Sequence, residues 1–109
     1  MELLKIYDPT CDICSLLAGI DEEIASEEAF FFRKVTLEDL AKNPSRARDH
    51  VIKHYVNPDD GMVDIPIYMI SAGSGQILAD GLVKTVEELK NLISAFRQWE
   101  RSKNAQLSE

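Results

Sequence analysis

The chain has 109 residues, enough for one domain around one hydrophobic core and too few for a second. Its 45% hydrophobic and 28% charged residues are those of a globular protein, and no apolar run approaches the ~20 residues a membrane-spanning helix needs. The net charge of -7 is concentrated: residues 1–28 carry eight acids against Lys5 alone, which disfavours nucleic acid and suits either a partner with a basic face or plain solubility.

The chain starts "MELLKIYDPT", without a basic segment, a long apolar stretch or a small-residue cleavage site. No secretion signal is read there, and a cytoplasmic location is the expectation. "ELLKIY" (2–7) reads as a short strand, stopped by a turn at Asp8 and Pro9. From Cys11 to about Glu28 the apolar residues Ile13, Leu16, Leu17, Ile20 and Ile24 recur at helical spacing, with Thr10 as a possible N-cap and Gly19 as a weak point. "AFFFRKV" (29–35) reads as a strand buried on both faces near its start, with all three phenylalanines in the core.

Residues 36–43 read as a helical turn or loop. Asn43 and Pro44 fit an N-cap and first helical position, followed by Ala47, Val51, His54 and Tyr55 at helical spacing. "NPDDGM" (57–62) is loop by composition. "DIPIYMI" (64–70) and "QILAD" (76–80) read as a strand pair around the "SAGSG" turn. A proline near the start of the first of these argues for a sheet edge or a special role at the strand mouth. Gly81 is expected to give a tight passage into the last helix. Thr85 and Glu88 form a capping box there, and Leu89, Leu92, Ile93, Phe96 and Trp99 an apolar stripe. Residues 1–101 make the domain, and the polar stretch 102–109 is expected to fray as a tail. The order β-α-β-α-β-β-α predicts an α/β protein. Its first unit calls for parallel pairing and its last strand pair for antiparallel, giving a mixed four-stranded sheet with helices on both faces.

Cys11 and Cys14 are the only cysteines. A thiol reacts as its thiolate, and Cys11 stands where a turn gives way to a helix, whose free N–H groups and dipole favour an anion. Cys14 lies one turn further on the same side, so the two sulfurs can form a disulfide, with Cys11 the exposed attacker and Cys14 the shielded resolver. A Cys-x-x-Cys pair is a weak signal alone and a stronger one between a short strand and an amphipathic helix. The alternative is a pair of buried inert thiols in a redox-inactive protein-binding module.

Three stretches carry a resemblance to the thioredoxin superfamily: "CDIC" after the first strand, "DIPIYMI", and "GQILADGLVKTVEELKNLI". "RKVTLEDL" adds a likeness to the family strand that bears a lysine, here Lys34. The resemblance covers most of residues 2–98 and is loose over 40–63, which run longer than in thioredoxin. It implies a thioredoxin-like fold and a thiol-disulfide oxidoreductase, with Cys11 as nucleophile and Cys14 as resolving cysteine. Pro66 would follow a cis bond beside the disulfide, and the backbone of Ile65 would pair with an extended substrate. Thr10, Asp12, Ile13, Ile65 and Pro66 would form the substrate surface. The implied partners are protein disulfides and an upstream reductase as electron donor, with no cofactor and a monomeric state.

The departures from the family are specific. Thr10, Asp12 and Ile13 replace the usual Trp, Gly and Pro around the cysteines. Thioredoxins bury an aspartate six residues before the first cysteine, and Lys5 stands there. Lys34 thereby lacks its family partner, and two neighbouring lysines need an acid or solvent. The Asp12 carboxylate should raise the Cys11 pKa against the helix terminus, which favours a reducing couple. Glutaredoxins also begin on their first strand, but they bind anionic glutathione through basic groups. The acidic surroundings here favour a protein disulfide. Tyr7 is expected near the pair, as a shield or as packing.

His50 and His54 lie four apart on one predicted helix, yet nothing in the sequence brings them to the cysteines, so no metal site is read. "NPDDG" lacks the ligand run of a calcium loop, and "SAGSG" the Lys-Ser/Thr of a phosphate loop. Lys42, Arg46, Arg48 and Lys53 read as a solvated helix face.

Overall fold

The computed structural model describes residues 1–107. Strand β1 (Glu2–Tyr7) leads through a tight turn into helices α1 (Asp12–Leu17) and α2 (Ile20–Glu27), then strand β2 (Phe31–Thr36). Helices α3 (Leu37–Lys42) and α4 (Arg46–His54) follow, then strands β3 (Ile67–Ser71) and β4 (Ile77–Leu82), and helix α5 (Val86–Leu107). The four strands form one sheet in the order β2-β1-β3-β4. β1 runs parallel to β2 and antiparallel to β3, and β3 antiparallel to β4. This is the mixed four-stranded sheet expected from the element order.

Alternating side chains divide the core into two layers, because successive strand residues point to opposite faces. Leu3, Tyr68 and Ile70 face Leu17 of α1, Ile24 and Ala25 of α2, and Leu89, Ile93 and Phe96 of α5. Leu4, Ile6, Ile67 and Met69 face Leu40 of α3 and Val51 of α4. β1 and β3 are central and covered on both faces, which is why "LLKIY" and "IYMI" read as nearly unbroken apolar runs.

Several expectations are corrected. The single helix over 11–28 is two helices: Ala18 turns extended at ψ 135, and Gly19 adopts φ +84, a left-handed conformation open to glycine and costly for other residues. The apolar periodicity runs through the break, but Leu16 is exposed while Leu17 and Ile24 enter the core. β2 is an edge strand. Phe30 just before it is buried, whereas Phe31, at the start of this edge strand and on the rim of an open cavity, is 71% exposed.

The cap of α4 is Ser45, whose hydroxyl accepts from the Arg48 N–H at 3.0 Å, in place of Asn43. α3 is a full short helix capped by Thr36. β3 is central, so Pro66 lies at its mouth and not at a sheet edge. Gly81 sits within β4 opposite Tyr68, and the passage to α5 falls at 83–85. There the Thr85 hydroxyl accepts from the Glu88 N–H at 3.1 Å, while the Glu88 carboxylate reaches back to the Lys84 N–H at 3.0 Å.

The expected frayed tail at 102–109 is helical as far as Leu107, and residues 108–109 lie outside the described residues. At ~1.5 Å per residue a helix of 22 residues outreaches six-residue strands at ~3.3 Å per residue. The end of α5 therefore runs past the sheet, and Trp99 is half-exposed rather than core.

Candidate redox site

The site grows from the end of β1. After Tyr7 the Asp8 carboxylate accepts from the Thr10 hydroxyl at 2.6 Å and the Thr10 N–H at 2.9 Å, and the Cys11 N–H donates to the Asp8 carbonyl at 3.0 Å. These bonds fix the turn, and the Thr10 hydroxyl and N–H hold the Asp8 carboxyl below the usual carboxylate range. Cys11 is then the N-cap of α1, and its Sγ accepts the Cys14 N–H at 3.1 Å. The two cysteines are joined as a disulfide, with Cα atoms 5.2 Å apart. Cys11 is half-buried, and Cys14 is 2% exposed.

The peptide bond between Ile65 and Pro66 is cis. Ile67 pairs with Ile6 across the sheet, so Pro66 and the cysteine turn share one end of the molecule. Pro66 is buried, and its carbonyl accepts from the Val83 N–H at 3.1 Å. Ile65 is half-buried and precedes the strand, outside its ladder. Thr10 and Asp12 are exposed beside the pair, and Ile13 is half-buried against the core. Asp64, also exposed, adjoins Ile65.

Beneath the disulfide lies an ion pair that the sequence did not reveal. Lys5 is 3% exposed, and its Nζ donates to Asp21 Oδ2 at 2.6 Å and to the Cys14 carbonyl at 2.9 Å. The Tyr68 hydroxyl donates to the same Asp21 oxygen at 2.7 Å. The other Asp21 oxygen accepts the Glu22 N–H at 2.7 Å. Burial first, then the bond to Asp21 and its charge, raise the Tyr68 pKa well above the usual phenol value and keep the hydroxyl a donor. Asp21 carried one available signal. It lies four residues after Leu17 and three before Ile24, both buried, so it shares their helical face.

Lys34 is exposed, so solvent serves it while Asp21 serves Lys5. Both ammonium groups lie near the half-buried Tyr7 ring, at 5.8 and 5.9 Å from its centroid.

The other constellations lie elsewhere. His50 Nε2 is 3.1 Å from Asp80 Oδ2, which also accepts from the Tyr55 hydroxyl. This group ties α4 to β4 on the opposite face of the sheet from α1, so the histidines do not approach the cysteines. Among the described residues no three His, Cys, Asp or Glu side chains are grouped as metal ligands. A cavity of about 630 Å³ opens between Met1, Phe31, Arg46 and Ile77, at the far end of the sheet from the cysteine pair. None of the candidate site residues lines it.

Neither a family model nor a curated protein matches the sequence. The chain is similar in structure to reduced thioredoxin pre-protein of Schistosoma mansoni, with 15% identity and a TM-score of 0.61 over 86% of this chain and 76% of that one. With strand order, helix placement and this likeness in agreement, the chain has the thioredoxin fold, and its Cys-x-x-Cys pair stands where the first strand hands over to the first helix.

Proposed function

We propose that the chain is a thiol-disulfide oxidoreductase that reduces protein disulfides through Cys11 and Cys14. The observation that carries this reading is the asymmetry of the pair: a disulfide whose first sulfur caps a helix and is partly open, and whose second is buried behind it. In the reduced form the Cys11 thiolate, held by the Cys14 N–H, attacks one sulfur of a substrate disulfide. That S–S bond breaks, the second substrate sulfur leaves as a thiolate, and a Cys11–substrate disulfide forms. Cys14 gives its proton to solvent and attacks Cys11 Sγ, expelling the first substrate sulfur. Two electrons pass to the substrate, and an upstream dithiol reductase returns two electrons and two protons.

Ile65, free of the strand ladder, offers its backbone to an extended substrate segment, while Thr10, Asp12, Ile13 and Pro66 flank it. The exposed carboxylates of Asp12 and Asp64 favour a substrate with basic residues around its cysteine. The test is insulin disulfide reduction driven by dithiothreitol, alongside trapping in a lysate. Wild type should reduce insulin, and Cys11→Ser and Cys14→Ser should not. Cys14→Ser alone should hold a mixed disulfide that dithiothreitol releases. Wild-type activity no higher than that of Cys11→Ser would instead assign the chain to redox-inactive binding.

A further inference from the structure

The buried lysine bonds the backbone carbonyl of the resolving cysteine, and its orientation is fixed. The Asp21 oxygens are occupied by Lys5, Tyr68 and the Glu22 N–H, and the carboxylate does not bond Cys14. The ammonium is therefore the charged end of the pair that faces the cysteine, through the Cys14 carbonyl at 2.9 Å. An ammonium has three N–H donors, and two are engaged here, which leaves one for a new acceptor next to Cys14. The other charged and titratable groups around it are Cys11 at the N-cap of α1, Asp12 exposed in its first turn, Tyr7 on β1, Tyr68 on β3 and Lys34 on β2, the last in solvent.

We propose that Lys5 is a positioning residue for Cys14. Its ammonium, clamped by Asp21 and Tyr68, holds the first turn of α1 by the Cys14 carbonyl and stabilises Cys14 as the thiolate that resolves the mixed disulfide. The role presupposes the disulfide exchange proposed above. It differs from that of a buried acid, which would take the proton of the resolving thiol. Here a fixed cation favours the thiolate, and the proton leaves to solvent.

Stopped-flow reaction of the reduced protein with limiting 5,5′-dithiobis(2-nitrobenzoate) separates the steps. Cys11 attacks first, releasing one coloured thiolate at a rate that depends on reagent. Cys14 then attacks Cys11 Sγ and releases the second at a rate independent of reagent. The second rate is followed against pH in wild type and Lys5→Met. An opposite charge within ~4–6 Å lowers the pKa of an acidic group by ~1 unit or more, and the ammonium stands at the carbonyl of the same residue, so the Lys5→Met midpoint should move up by about one pH unit. Nucleophilicity rises with thiol pKa at a slope of ~0.4–0.5, so Lys5→Met should resolve roughly threefold slower well below the midpoint and roughly threefold faster on the alkaline plateau. Crossing curves are the expected result.

An unchanged midpoint in folded Lys5→Met overturns the role, as does a uniform slowing at every pH, which marks loosened packing alone. Absence of any second phase in wild type overturns both this role and the oxidoreductase reading. Should Lys5→Met not fold, Lys5→Met/Asp21→Leu removes both charges and should show a smaller midpoint shift in the same upward direction, its absence being equally decisive.

Discussion

Lys5 on the central strand and Asp21 on the second helix meet 2.6 Å apart, both almost fully excluded from water. Removing one partner of such a pair strands the other charge. Asp21→Asn should therefore cost ~3–5 kcal/mol in urea unfolding, whereas Lys5→Met/Asp21→Leu, which strands no charge but leaves the Tyr68 hydroxyl without its acceptor, should cost less. A cost for Asp21→Asn no larger than that of the double variant would show that the pair is not held as the geometry indicates.

The Tyr68 hydroxyl donates to that carboxylate, and its folded pKa is raised from the ordinary 10.0 by burial and by Asp21. A raised pKa means the native state holds the phenolic proton more tightly than the unfolded chain does. The stability it contributes is complete below pH 10 and is lost as pH climbs toward the folded value. Urea midpoints measured between pH 8 and 11 should fall more steeply for wild type than for Tyr68→Phe. Tyr55, raised in the same direction by burial and Asp80, adds to the wild-type slope and remains in the variant. Parallel slopes would argue against the Tyr68 bond.

Asp12 follows Cys11 and is exposed in the first turn of α1. A carboxylate beside a thiolate opposes its charge, and a couple with a less stable thiolate lies further toward its disulfide. Asp12→Asn should shift the equilibrium with glutathione toward the dithiol by roughly two- to fivefold, the size of a solvent-screened charge effect. A shift toward the disulfide would reverse the assigned sign.

Gly19 separates α1 from α2 at φ +84, and a Cβ there would meet nothing within 4 Å. Gly19→Ala thus isolates the backbone term, and it should lower stability by ~1–2 kcal/mol without altering disulfide exchange. A neutral or stabilising substitution would mean that the break relaxes into a continuous helix.

The pattern of the chain carried the architecture well. Two strands buried on both faces appear as "LLKIY" and "IYMI", and the cysteine pair announces itself by following the first of these. Local signals also located the cap at Thr85 and the loop at 57–62. They failed where burial depends on what lies overhead. Phe31 and Trp99 look like core and are not, because an edge strand and an overlong helix leave them uncovered. Asn43 and Pro44 looked like a helix start, but the Ser45 hydroxyl reaches the Arg48 N–H and caps the helix instead.

What the sequence determined by itself is local: which residues alternate, which repeat every turn, and that two thiols stand one turn apart after a strand. Such information needs only neighbours along the chain. The partner of Lys5 lies 16 residues away on another element, and the donor that completes Asp21 a further 47 residues on. Only the packed sheet and helices could decide that a lysine in an apolar strand would be buried beside a cysteine, because a charge enters the interior only where tertiary structure supplies its counter-charge.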